Sequence, residues 1–102
     1  NCVSSEEGEV APLSFSGSSK TAWQNVRRSI KTLGGSVEKE EGDYLAATFE
    51  TPFFRFVDDM EFRMVPKKKR IQIRSASRVG YSDMGTNRKR VERFRKVFNQ
   101  TR

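Results

Sequence analysis

The sequence predicts an α+β two-layer sandwich, an antiparallel sheet of about five strands with two helices on one face, in the order β-α-β-β-β-β-α. Three observations carry that expectation. Two stretches, one in each half of the chain, place apolar residues at helical spacing along a single stripe. Between them the hydrophobic period drops to two, and tight-turn signals cut the stretch into consecutive strands, which pair antiparallel. The chain has 102 residues, enough to bury one core but not two.

Residues 1–12 are acidic and small with no period and read as an irregular lead-in, leaving 13–102 as one α+β domain. A short strand is expected around Leu13 to Phe15, ended by Gly17. Ser18 or Ser19 can cap a helix whose stripe is Ala22, Trp23, Val26, Ile30 and Leu33, and Gly34-Gly35 stops it. Trp23 on that stripe reads as core rather than as a ligand platform. From Ser36 a hairpin follows, with one strand near Val37, a turn at Glu41-Gly42-Asp43, and a second strand from Tyr44 to Thr51. After Pro52 a long strand is expected from Phe53 to Val65, then the Pro66-Lys67-Lys68-Lys69 turn, then a strand from Arg70 to Arg78. The last helix should run from about Thr86 or Asn87 to Gln100 with Val91, Phe94, Val97 and Phe98 buried.

If the lysine turn is symmetric, residues whose numbers sum to 135 face one another across it. Phe62 then meets Ile73 on the buried face, Glu61 meets Arg74 on the other, and Asp58 meets Ser77. Asp58 falls on the otherwise apolar series Phe54, Phe56, Met60 and Phe62, and a buried carboxylate needs partners. In a structural reading it accepts from Ser77, from the loop between Gly80 and Gly85, or from an arginine of the last helix, and ties sheet to helix. In a functional reading it is a general base with a raised pKa. No second catalytic group accompanies it, which favours the first. A bulge at Asp58-Asp59 would weaken both.

The charge distribution is uneven. Residues 1–50 carry five basic and eight acidic side chains (−3), residues 51–102 fifteen and five (+10), so the positive excess resides in the second half. Such asymmetry favours an anionic partner. It does not by itself select nucleic acid: the cations of the last helix spread around its solvent side, Arg95 among them on the outer face, with no aromatics interleaved for base stacking. The Lys67 to Arg70 cluster reads as a solubilising turn more than as a lipid-headgroup contact. There is no His, one cysteine (Cys2) and no phosphate loop, and the single S-x-x-K, Ser36 to Lys39, is what chance supplies. No enzyme, metal or cofactor is expected. No run is long and apolar enough for a membrane span.

Three segments, "NCVSS", "FFRFVDDMEFR" and "IRSASRVGYSDMGTNRKRVERFR", closely resemble the domain-of-unknown-function family 1499 of bacteria and plastid-bearing organisms. The resemblance spans essentially the whole chain. It implies no activity; it does imply an exported or membrane-tethered setting, which a chain that opens on Asn1 without Met is compatible with. The motif positions it marks are Cys2, Arg55, Phe56, Arg90 and the residues of the candidate network given next.

The expected candidate site, whether for binding or for shape, is a network of Asp58, Asp59, Glu61, Arg74, Ser75, Ser77, Arg78, Tyr81, Ser82, Asp83, Asn87 and Arg88. The function expected from it is a non-catalytic module of the cell envelope or periplasm. It would bind a protein partner or an anionic ligand through the basic 74–90 region, with a membrane tether outside these residues; nucleic-acid binding is the rival.

Overall fold

Residues 2–79 and 84–100 are described in a computed structural model. The element order is β1 (Cys2–Ser4), β2 (Leu13–Ser14), α1 (Ser19–Thr32), β3 (Ser36–Glu41), β4 (Tyr44–Glu50), β5 (Val57–Val65), β6 (Arg70–Ser77) and α2 (Met84–Gln100), with single 3-10 turns at Ser5–Glu7 and Pro66–Lys68. The strands form one antiparallel sheet in the order β1-β6-β5-β4-β3, with β2 also on β6. Both helices cover the same face, so the architecture is the expected α+β sandwich.

The sheet has six strands rather than five because the start of the chain is not irregular. Cys2 pairs with Ala76, Val3 with Ser75 and Ser4 with Arg74. Val3 is fully buried, and that burial, rather than any period in so short a segment, holds the strand in place. The turn after it is fixed by the Ser5 hydroxyl, which accepts from Ile73 N at 2.8 Å and donates to Gln72 Oε1 at 2.6 Å.

The Ser18 side chain caps α1 by accepting from Thr21 N at 3.1 Å. The core brings together Val26 and Ile30 of α1, Phe94 and Phe98 of α2, and Leu45, Met60, Phe62, Ile71 and Ile73 of the sheet. Phe62 and Phe94 pack with ring centroids 4.8 Å apart, which fixes α2 over the sheet. Val97, expected in the stripe, is only half-buried. The β5–β6 register holds from Asp58 opposite Ser77 to Val65 opposite Arg70 without a bulge, as the symmetric turn requires.

The starts of two elements differ from expectation by more than one residue. Helix α2 begins at Met84, before Thr86. Strand β5 begins at Val57, not Phe53, because residues 51–56 form a tight loop in which Phe53 (φ 67°) and Arg55 (φ 60°) take left-handed backbone that no strand permits. Phe54 is therefore not part of the buried series. It is 75% exposed and Phe53 is 96% exposed.

Candidate functional site

The described members of the expected set fall into separate groups on the two faces of the sheet. Asp58 sits on the helix-facing side of β5, buried, and is ion-paired to the Arg90 guanidinium from the second turn of α2. Arg90 in turn lies over the Phe49 ring, 5.5 Å from its centroid. One turn earlier on the same helix face, the buried Asn87 accepts from Ser75 Oγ at 2.8 Å and donates to Ser77 Oγ at 3.2 Å. Asp58, Ser75, Ser77, Asn87 and Arg90 thus form a polar seam joining the end of the sheet to the start of α2.

On the opposite, open face of the sheet, Arg74 donates to Glu61 at 2.8 Å and Arg78 grips Asp59 with two bonds of 2.9 and 3.0 Å. Tyr44 also donates to Glu61, and this hydrogen bond, with burial and the carboxylate charge, pushes its phenol up to about 12. Burial opposes the charge on Arg74, but bonding to Glu61 and the proximity of Cys2 outweigh it and hold the guanidinium above its ordinary value. The hydrogen bond and charge of Asp59 do the same for Arg78. Arg88 donates to the Glu9 carbonyl. Of the expected set, Tyr81, Ser82 and Asp83 lie outside the described residues.

The expected arginines Arg74, Arg78 and Arg88, and Arg90 beside them, are therefore each engaged with a carboxylate or carbonyl of the chain itself. Arg95 is also engaged, against expectation. It is not an outer-face cation: it donates to the Ala11 and Pro12 carbonyls at 2.6 and 3.0 Å, while Glu92 receives its Nε at 2.9 Å.

A cleft opens beside the polar seam, with a volume of about 270 Å³, at the small end for a ligand pocket. Leu33 past the end of α1, Phe49 of β4 and Met60 of β5 give it apolar walls; Thr86, Lys89, Arg90 and Arg93 of α2 form the other side. Phe49 is fixed there by Gly35, where an added Cβ would stand 2.4 Å from its ring. Lys89 and Arg93 are exposed and have no hydrogen-bond or ion-pair partner among the described residues. Arg90 Nε is buried without an acceptor, the sole such side-chain atom among the described residues. Lys89, Arg93 and Phe49 are outside the set the sequence singles out. Arg90 could have been read from it, since it lies one turn after Asn87 on the stripe that continues to Phe94. Among the described residues no group of three metal-ligating side chains gathers, and no helix is long and apolar enough to cross a membrane.

A family model described as "Protein of unknown function (DUF1499)" matches residues 1–98. The chain belongs to this family. No curated protein and no solved structure matches it. In this member of DUF1499, the polar seam and the two arginine pairs of the open face all fall within the matched span, as does the cleft.

Proposed function

We propose that this DUF1499 domain is a non-catalytic binding module whose cleft takes an anionic ligand with an apolar body. One observation carries the reading: apolar walls from Leu33, Phe49 and Met60 meet a rim bearing two cations, Lys89 and Arg93, that no described carboxylate engages. A phosphate or carboxylate head would sit against the rim, and an alkyl or aromatic body would lie on Phe49. The reading moves the binding surface from Arg74, Arg78 and Arg88, which serve the fold, to the next turns of α2. An amphiphilic anion also suits a domain of the cell envelope, the setting we propose on the resemblance to exported and tethered proteins.

Calorimetric titration with octyl phosphate, inorganic phosphate and a generic DNA duplex tests it. Octyl phosphate should bind more tightly than inorganic phosphate, and the double substitution Lys89→Ala with Arg93→Ala should weaken it by about tenfold. Equal binding of the two phosphates, or an unaffected double variant, overturns the reading. Tight duplex binding that falls steeply with salt would install the nucleic-acid rival in its place.

A further inference from the structure

The connection between β4 and β5 exposes two adjacent phenyl rings on strained backbone, and we propose that it is an insertion element that seats the domain on an anionic lipid surface. Phe53 is 96% and Phe54 75% exposed, whereas the other phenylalanines are buried or, for Phe15 and Phe56, half-buried. Phe53 and Arg55 hold φ of 67° and 60°, a region that disfavours side chains other than glycine, asparagine and aspartate.

The loop is nonetheless built, not loose. Thr51 N donates to Phe56 O at 2.8 Å, Arg55 N to Thr51 O at 3.1 Å and Phe56 N to the Thr51 hydroxyl at 3.0 Å. The Arg55 side chain is clamped to Glu50 at 2.7 Å, and the Phe54 ring stacks on Phe56 at 5.5 Å. Backbone strain and exposed apolar area both oppose folding in water, and Phe53 gives nothing back to the core. The compensation therefore comes from something outside the chain that accepts a phenyl ring.

Charge selects a lipid surface for that role. The loop begins two residues after Phe49, whose ring lines the cleft together with Lys89 and Arg93. Of the carboxylates at this end of the sheet, Glu50, Asp58 and Asp59 are each paired with an arginine, and Glu38 is bonded to the Thr48 hydroxyl on the open face, away from the helices. An aromatic tip backed by unpaired cations matches an apolar acyl boundary beneath anionic headgroups. The Lys67–Lys69 turn lies at the opposite end of β5 and takes no part; Lys69 is committed to the Gly17 carbonyl at 2.6 Å. This inference shares Lys89 and Arg93 with the cleft reading, but it rests on the exposed rings of Phe53 and Phe54, which do not line the cleft.

Co-sedimentation with vesicles of phosphatidylcholine and phosphatidylglycerol, against phosphatidylcholine alone, tests it. The protein should bind the anionic vesicles, and Phe53→Asn with Phe54→Ser should reduce partitioning by about tenfold or more. That variant should also melt at or above the wild-type temperature, because asparagine tolerates the left-handed backbone. Its octyl phosphate titration should be unchanged, which separates this loop from the cleft. A wild type that ignores anionic vesicles, as expected if the rings dock on a protein, overturns the proposal. So does a loop variant that binds them as the wild type does.

Discussion

Tyr44 and Asp58 show how differently two polar groups act on the two faces of one sheet. The Tyr44 phenol donates to Glu61 and its pKa is raised from 10.0 to about 12. The folded state thus holds that proton more tightly than the unfolded one, so the contribution is fully present below pH 10 and is lost as pH rises towards about 12. Ultraviolet titration of the phenolate, with Tyr44→Phe identifying the signal, should show this late ionisation, and Glu61→Ala should move it back towards the ordinary value. Asp58 works by pairing instead. Removing it strands the Arg90 guanidinium, whose side chain is only 22% exposed, without its acceptor. Asp58→Ala should cost about 2 to 4 kcal/mol in chemical denaturation. An unchanged denaturation midpoint would mean that the seam does not hold the sheet to the helix.

Among the elements, α2 does the most joining. Its inner stripe packs on the sheet through Val91, Phe94 and Phe98, its first turns carry the polar seam, and its flank ties down the lead-in through Arg88 and Arg95. The Arg95 bonds to the Ala11 and Pro12 carbonyls satisfy backbone acceptors in a segment with no strand partner there. Arg95→Ala should therefore destabilise by about 1 to 2 kcal/mol, whereas Lys96→Ala on the exposed side should change stability by less than about 0.5 kcal/mol. The hydrogen bond from Arg95 also holds Glu92 below the usual carboxylate range. That coupling is present above the unfolded glutamate's pKa and is lost as pH falls through the folded value, so the gap between wild type and Arg95→Ala should narrow in acid. Thermal melts of both variants across that range check the pair of statements.

At the scale of the whole molecule, the sequence by itself determined the α+β layering, a serine cap on α1 at Ser18 or Ser19, the hairpin turn at Gly42, the β5–β6 register and the burial of Asp58. These are legible because they rest on periods of 2 and 3.6 and on a turn whose symmetry fixes every facing pair. Only the tertiary structure decided that Cys2–Ser4 is a strand, since three residues show no period and are held by pairing with β6 and by the burial of Val3. It also chose Arg90 for Asp58 and sent Arg95 to the lead-in carbonyls, because many arginines in the sequence are equivalent until distance ranks them. Phe53 and Phe54 were hidden for a related reason. A period-two reading continues through them as through any aromatic run, and it was the left-handed backbone of the loop, set by bonds between Thr51 and Phe56, that turned them out of the sheet. The cleft beside them came from long-range packing: Leu33, Phe49, Met60 and Lys89 belong to four separate stretches, and no local pattern records that they meet.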